Sequence, residues 1–365
     1  MHERYMREAL VLAANGRGHA RPNPLVGAVL VSAERVIGRG FHAFFGGPHA
    51  EIRAIEDARA NGFADLSDST LYVNLEPCCH VGKTPPCADR LIAERIPRVV
   101  VGMIDPNPLV AGKGVAALRS AGIEVTVGVL EDECREMNRA FCKFVSTGLP
   151  YVLLKAGMSL DGKTATSSGE SKWITSEESR LDARRLRAEF AAVLCGVGTV
   201  RADDPMLTPR SLNAKNPVRV IVDSNLSIPK DSKIVASARA IPTIVATASG
   251  DDARELEAAG ISIVRAPGAD GRVDLAALMR ELGRAGIDSV LVEGGAEIAH
   301  SALACGIVDR IRYYVAPLIL GGTDARPAVG GAGFPAISSA PRLGPLTAER
   351  LGSDLVVEAD VCSPA

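Results

Sequence analysis

The sequence predicts two α/β domains in tandem. Three observations carry this reading. The chain has 365 residues, and domains of roughly 150 residues make two the natural division. Short apolar strands alternate with helical segments along both halves, which is the pattern of helices packed on at least partly parallel sheets. A break at Thr147-Gly148-Leu149-Pro150 separates the halves, between a helical segment and a fresh strand, giving domains 1–147 and 148–365.

The elements follow in order. A helix is expected from about Glu3 to Asn15, then a polar, proline-rich stretch through Asn23-Pro24, and strands at Val26–Val31 and Val36–Gly40. Ile52, Ile55, Ala58 and Arg59 are spaced at three and four, so Ile52–Ala60 reads as a helix. Leu71–Leu75 is a short strand running into Glu76-Pro77. Helix, strand, helix and strand follow at Ala88–Arg95, Arg98–Ile104, Val115–Ala121 and Ile123–Val129, and one helix at Asp132–Phe144. The second half opens with strand Tyr151–Ala156. Thr175 to Glu178 has the spacing of a capping box and starts a helix through about Phe190. Strands are predicted at Ala192–Gly196, Val218–Asp223, Thr243–Thr247, Ile261–Val264, Ser289–Val292, Arg312–Val315 and Leu355–Val361. No internal repeat or low-complexity tract interrupts them.

Composition excludes several classes of function. Hydrophobic residues make up 47% and the formal net charge is -2, so a dominantly disordered chain is ruled out. Lys and Arg number 41 against 43 Asp and Glu, and no long run of one sign occurs, so nothing suggests a general electrostatic hold on nucleic acid or membrane. At 4% aromatic, few platforms exist for stacking single-stranded bases. The start of the chain, Met1 to Leu10, is charged and does not read as a signal peptide. No apolar run is long enough to cross a bilayer. A cytoplasmic homo-oligomer is expected, without nucleic-acid or membrane partners. In that compartment the eight cysteines read as thiols or metal ligands before disulfides.

Their placement is uneven. Cys78, Cys79 and Cys87 lie close together, and five of the six histidines fall in the first 80 residues. The pattern His49-Ala50-Glu51, then Glu76-Pro77-Cys78, then Pro85-Pro86-Cys87 offers one imidazole and two thiolates. Catalytic zinc needs three such protein ligands and an open position, where it lowers the pKa of its water. A carboxylate nearby but not on the metal then moves protons, and Glu51 is suitably spaced for that task. His-x-Glu with a later pair of cysteines is the zinc deaminase signature, although here the cysteines are further apart than in Cys-x-x-Cys. Cys87 is expected at a helix N-terminus, which favours a thiolate. A closed structural zinc site, with Cys79 or His80 as fourth ligand, is the alternative, and it leaves Glu51 without a role.

The second half offers glycine turns after strands. Ser289–Val292 runs into Glu293-Gly294-Gly295-Ala296 and then into a helix, the arrangement that presents free N–H groups to a phosphate. Gly196-Val197-Gly198-Thr199 is a second such turn, but it lacks the third glycine of the Rossmann fingerprint. The single tryptophan, Trp173, follows the polar loop Gly169-Glu170-Ser171-Lys172, so both a structural and a ligand-facing role stay open.

Several motifs carry a specific resemblance. Arg21-Pro22-Asn23-Pro24-Leu25-Val26-Gly27, Gly40-Phe41-His42, the His49 and Cys78–Cys87 motifs, and Asp105-Pro106-Asn107-Pro108 with Gly112-Lys113-Gly114 resemble the deaminase half of the bifunctional RibD family of riboflavin biosynthesis. Lys155 to Lys163, Ser168 to Thr175, Ala202-Asp203-Asp204-Pro205, Val222-Asp223-Ser224 and Val292-Glu293-Gly294-Gly295 resemble its reductase half. Together they span nearly the whole chain in the family's order. The resemblance implies a cytidine-deaminase-like α/β/α domain followed by a dihydrofolate-reductase-like α/β domain. It implies one zinc ion held by His49, Cys78 and Cys87, Glu51 as catalytic proton shuttle, and substrate contacts at Asn23 and His42. Cys79 departs from the family pattern, in which a cysteine does not usually follow the ligand. For the second domain it implies NADPH contacts at Gly157, Trp173, Thr199, Asp203, Ser224 and Gly295, Ala296, Glu297, Ile298, Ala299, His300 and Ser301. Substrate contacts would be Ser171, Arg187, Leu207, Arg210 and Glu293; arginine suits a substrate phosphate.

The function this implies is zinc-dependent deamination of a phosphoribosylaminopyrimidine, then NADPH-dependent reduction of its ribosyl chain to ribityl. Lys155 and Asp203 are candidates for the proton donor of the second step. Two rivals are a nucleic-acid-editing deaminase, which the balanced charge disfavours, and a zinc-stabilised binding protein without turnover.

Overall fold

A computed structural model describes residues 1–79, 86–108, 110–209 and 215–362. Contacts divide the chain into two units, Met1–Gly148 and Leu149–Ala365.

The first unit contains α1 (His2–Ala14), β1 (Gly27–Ser32), β2 (Arg35–Phe41), α2 (Ala50–Ala60), β3 (Ser69–Leu75), α3 (Cys87–Ala93), β4 (Arg98–Met103), α4 (Lys113–Ser120), β5 (Glu124–Val127), α5 (Glu131–Met137) and α6 (Arg139–Thr147). The sheet runs β2-β1-β3-β4-β5. β1 is antiparallel to β2 and β3, while β3, β4 and β5 are parallel. Successive strand residues point to opposite faces. Ala28, Leu30, Leu71 and Val73 accordingly join one core with Ile55 of α2, Leu91 of α3 and Leu118 of α4. Val29, Val31 and Tyr72 join another with Tyr5, Met6 and Ala9 of α1 and Cys134 of α5. Both faces are covered, which explains the continuous apolar runs Ala28–Val31 and Val99–Val101.

Close approach sets α2 against β2. A Cβ on Gly40 would lie 2.1 Å from the Ala50 carbonyl oxygen, so only glycine lets the start of α2 seat there.

The single helix expected at Asp132–Phe144 is instead two, parted at Asn138. Asn138 has φ -106° and ψ 19°, and its side chain is buried. Its Oδ1 accepts from the Leu25 N–H at 2.8 Å, and its Nδ2 donates to the Leu25 carbonyl at 3.0 Å. Asn74 supports the same segment, donating to the Leu25 carbonyl and accepting from the Gly27 N–H. The helix therefore breaks where an amide side chain is needed to satisfy the chain entering β1.

The second unit contains β6 (Tyr151–Ser159), α7 (Glu177–Glu189), β7 (Ala192–Gly196), α8 (Val197–Asp203), β8 (Val218–Val222), α9 (Lys233–Ala236), β9 (Thr243–Thr247), α10 (Arg254–Ala258) and β10 (Ile261–Arg265). It continues with α11 (Leu275–Arg284), β11 (Ser289–Glu293), α12 (Ala296–Ala304), β12 (Arg310–Ala316), β13 (Arg342–Leu343), β14 (Thr347–Leu351) and β15 (Asp354–Cys362). The sheet order is β10-β9-β8-β7-β11-β6-β12-β15-β13, with β14 also on β15. From β10 to β12 the strands are parallel; β15 returns antiparallel to β12. Val152, Leu194, Val220 and Val290 form its core with Leu278 and Leu282 of α11 and Ala302 of α12.

Three local expectations change. The cap of α7 is Ser176, whose Oγ accepts from the Ser179 N–H, one residue after the expected Thr175. The glycine turn at Gly196–Thr199 is the start of helix α8. Helix α11 was not among the expected elements, although Leu275, Leu278, Met279 and Leu282 are buried at helical spacing and Asp274 caps it.

Asn138→Ala should leave the Leu25 N–H without its partner inside the unit. The expected loss is about 1–3 kcal/mol of stability, read from urea or thermal unfolding.

Candidate metal centre and second cleft

The metal cluster forms where three element ends meet. His49 is the N-cap of α2, with extended backbone, and Glu51 sits in that helix's first turn. Cys78 follows the end of β3, and Cys87 opens α3 after Pro86. His49 Nδ1 lies 3.1 Å from Cys87 Sγ and 3.5 Å from Cys78 Sγ, and the three ligand atoms all fall within 4.8 Å of one another. Tetrahedral zinc bonded at 2.0–2.3 Å separates neighbouring ligand atoms by about 3.5–3.8 Å, so the cluster fits that ion with small adjustments.

Charge agrees with geometry. The Cys78 thiol is pulled down to about 4, first by its hydrogen bond with Cys87 and also by His49. Cys87 is pushed up, as the partner that keeps its proton, and His49 is raised by its bond to Cys78. The Cys87 N–H also points at Cys78 Sγ, 3.3 Å away. A thiolate surrounded by acidic hydrogens is the environment that a divalent cation can occupy in place of shared protons. Cys79 is not in this cluster, and His80 lies outside the described residues.

A pocket of about 290 Å³ opens beside it, lined by Asn23, His42, His49, Glu51, Cys78, Asp105 and Asn107 among others. Glu51 is 3% exposed, and burial, with the neighbouring Cys78 charge, pushes its carboxyl up to about 7. His42 is also buried, which lowers its pKa. Its Nδ1 faces the Pro48 carbonyl at 3.2 Å and must carry the proton; Nε2 then accepts from Asn23 Nδ2 at 2.9 Å. That bond turns the Asn23 carboxamide into a fixed group on the pocket wall.

The opposite wall depends on Glu76, whose role the sequence alone does not reveal. Its buried carboxylate accepts from the N–H groups of Asp105 (3.1 Å), Gly112 (2.9 Å) and Val115 (3.0 Å). Gly114 fits tightly there, since a Cβ would lie 2.0 Å from the Pro77 carbonyl oxygen. The spacing of Glu76-Pro77-Cys78 marks the motif, but the fold is needed to bring residues 105–115 to it.

In the second unit, a cleft of about 1430 Å³ runs across the carboxyl ends of β6, β11, β7 and β8. This is where parallel α/β sheets bind ligands. Gly157, Ser171, Thr199, Asp203, Ser224, Gly295, Ala296, Glu297, Ile298, Ala299 and Ser301 all line it. His300 does not; its ring lies 5.2 Å from that of Phe334. Trp173 is 63% exposed outside the lining set, with the Arg180 guanidinium over its ring at 4.6 Å. Leu207 is buried, and Arg210 lies outside the described residues.

Buried Glu293 and half-buried Arg187 form a fork at 2.9 and 2.7 Å, and Arg187 also donates to the Thr208 carbonyl. Lys155 Nζ, in the cleft lining, is 3.7 Å from the same carboxylate. Burial opposes ionisation of Glu293, but Lys155 and Arg187 overcome it and hold the carboxyl at about 2. Asp203, by contrast, is exposed and paired loosely with Lys172 at 3.8 Å.

Comparison with known proteins gives both halves a context. Residues 1–103 match the model of the cytidine and deoxycytidylate deaminase zinc-binding region, and residues 150–357 match the RibD C-terminal domain. The riboflavin biosynthesis protein RibD of Actinobacillus pleuropneumoniae is 45% identical over 99% of this chain and 95% of its own length. That of Bacillus amyloliquefaciens is 45% identical over 98% and 96%. A crystal structure of the Thermotoga maritima diaminohydroxyphosphoribosylaminopyrimidine deaminase/5-amino-6-(5-phosphoribosylamino)uracil reductase superposes with TM-score 0.88 at 38% identity, covering 99% of both chains. Acinetobacter baumannii RibD gives 0.87, also at 38% identity and 99% of both chains. The units thus have the cytidine-deaminase-like and dihydrofolate-reductase-like folds expected from the motifs, and the chain belongs to the RibD family of riboflavin biosynthesis proteins.

Proposed function

We propose that residues 1–147 hydrolytically deaminate 2,5-diamino-6-(5-phosphoribosylamino)pyrimidin-4(3H)-one, and that residues 148–365 reduce the ribosyl chain of the resulting 5-amino-6-(5-phosphoribosylamino)uracil with NADPH. The observation that carries the reading is the convergence of His49, Cys78 and Cys87 beside buried Glu51 in one pocket. Those three side chains would hold zinc, which supplies the Lewis acidity that makes water nucleophilic near neutrality. Glu51 takes the proton from the attacking water and delivers it to the departing nitrogen, so that ammonia leaves. Asn23, oriented by His42, contacts the pyrimidine from the pocket wall.

The cleft of the second unit would hold NADPH, whose nicotinamide would supply the hydride for the sugar C1 carbon. The turn at Gly294-Gly295 and the N-terminus of α12 offer backbone donors for its phosphates, and Gly157, Thr199, Asp203 and Ser224 line the rest of the cleft. Opening the sugar at C1 would leave its ring oxygen in need of a proton. Lys155, held at the cleft by Glu293, is better placed to give it than exposed Asp203. Ser171, Arg187, Leu207, Arg210 and Glu293 complete the substrate set, with Trp173 and His300 assigned to the cofactor side. No helix among the described residues is long and apolar enough to span a membrane. We further propose a cytoplasmic homo-oligomer acting on small molecules.

Two experiments test this reading. Glu51→Gln should retain one zinc per chain yet lose deamination by at least about 10²-fold. It should also leave NADPH-dependent reduction of the deaminated substrate intact, because its pocket belongs to the first unit alone. Ammonia release and nicotinamide absorbance, each with its own substrate, read the two steps; near-normal deamination at full zinc would remove Glu51 from the mechanism. Metal analysis tests the ligands: Cys78→Ser should lose zinc while Cys79→Ser keeps it, and the reverse pattern would overturn the assignment.

A further inference from the structure

Residues 317–331, the irregular segment that follows β12, form one wall of the second cleft without a core of their own. Arg326, Pro327, Ala328, Gly330 and Gly331 line the cleft, yet Ala325 is the one buried residue of the segment. Near its start Leu318 and Ile319 are exposed. Apolar burial therefore contributes little to fixing this wall, and its position rests on hydrogen bonds.

Those bonds run to two places. At the far end the Gly330 N–H donates to the Ala296 carbonyl and the Gly331 N–H to Glu297 Oε1, each at 3.0 Å, which ties the segment to the first turn of α12. Along its length it pairs with the turn that follows β6. The Leu160 N–H donates to the Leu318 carbonyl at 2.8 Å, Thr164 to Arg326 at 2.8 Å, and Ala328 to Gly162 at 2.9 Å.

Asp161 stands in the middle of that turn. Its Oδ1 accepts from Ser159 Oγ at 2.6 Å and from the Leu320 N–H at 3.1 Å, while Oδ2 accepts from the Gly321 N–H at 2.7 Å. Ser159 is fully buried at the end of β6, and its Oγ accepts in turn from the Lys163 N–H at 2.9 Å. Ser159 Oγ and the two backbone donors pull the Asp161 carboxyl down to about 2, so it is ionised near neutrality. Asp161 itself is exposed and does not line the cleft. It thus fills no core and reaches no ligand, and two of its three partners belong to a segment about 160 residues away.

We infer that Asp161 is a positioning residue of the reductase, pinning Leu320-Gly321 to the end of β6 and so holding the 326–331 wall in place against the first turn of α12. The inference rests on the reductase reading of this cleft, in which that turn faces the cofactor. A wall freed at one end occupies its binding position for only part of the time. Apparent affinity then falls by that fraction, while the complex that does form reacts as before.

The test uses the full chain. Asp161→Asn keeps the side chain's shape but puts an N–H where one accepting oxygen stood, so it cannot serve both backbone donors. The calorimetric Kd for NADPH and its KM should each rise about tenfold, near the lower value of one charged hydrogen bond. With both substrates saturating, kcat should stay within about twofold. Amide hydrogen exchange across 318–331 should quicken and slow again when NADPH is added. Ammonia release by the first unit and an unfolding midpoint near the native one show that the variant is folded. Ser159→Ala, which removes the third donor, should shift the same two constants by less, and it carries the test if Asp161→Asn does not fold. An unchanged Kd and KM for NADPH, or a fall in kcat with both unchanged, makes Asp161 a structural residue only and overturns the inference. If native protein neither binds NADPH nor oxidises it with the deaminated substrate, the reductase reading falls and the inference with it.

Discussion

The Glu76 carboxylate is the junction on which the first site depends. It stands at the end of β3, two residues before the ligand Cys78, and accepts three backbone N–H groups from residues 105–115. Two of those donors belong to the start of α4 (Gly112 and Val115), where a helix leaves amides without internal partners. One side chain therefore satisfies a helix terminus, fixes Asp105 and Asn107 as a pocket wall, and braces the strand tip that presents the metal ligand. Charge-assisted bonds of this kind contribute about 1.5–3 kcal/mol each when buried, and losing their acceptor strands several donors at once. The strand tip that carries Cys78 is thus braced by backbone groups bonded to a buried carboxylate.

The second unit uses a buried carboxylate in a similar position, at the tip of a central parallel strand, for a different end. Glu293 binds side chains, not backbone. It forks onto Arg187 and reaches Lys155, so two cations are held at the mouth of β6 and β11 in fixed places. A buried ion pair of this sort adds little net stability, because desolvation offsets most of the attraction. Its value lies in orientation: removing Glu293 would leave two half-buried cations without the carboxylate they share. Neither arrangement is needed to form the sheets, whose cores are apolar. Both stand at the carboxyl ends of parallel strands, where loops can vary without disturbing that core.

Much of this was legible in the residues. Strand positions followed from continuous apolar runs, since sheets covered on both faces leave little room for polar residues. The ligands were legible because zinc chemistry restricts both residue type and spacing. What escaped shares a cause. Asn138 sits inside a helical pattern, and only the fold shows that the backbone of Leu25 needs its carboxamide. Glu76 reads as part of a motif, yet its partners lie about 30 residues onward. The inward turn of Asp223 depends on Ser227 and Ile228, and α11 shows its helical spacing only in the short run Leu275, Leu278, Met279 and Leu282. Local periodicity reports burial; it does not report which distant donor a buried acceptor will meet.

The two kinds of buried polar group also explain how tolerance to change should be distributed. Where a side chain caps backbone, as Glu76, Asn138 and Asn74 do, a substitute must match both length and hydrogen-bonding pattern, because the partners cannot move. Where side chains hold one another, as in the Lys155–Glu293–Arg187 cluster, partners can shift together and retain charge balance. The first arrangement suits a metal centre, whose ligand distances leave a few tenths of an ångström of freedom. The second suits a cleft that must accept a long, flexible cofactor and a phosphorylated sugar in turn. The difference in chemistry between the units is thus matched by a difference in what their buried charges are bonded to.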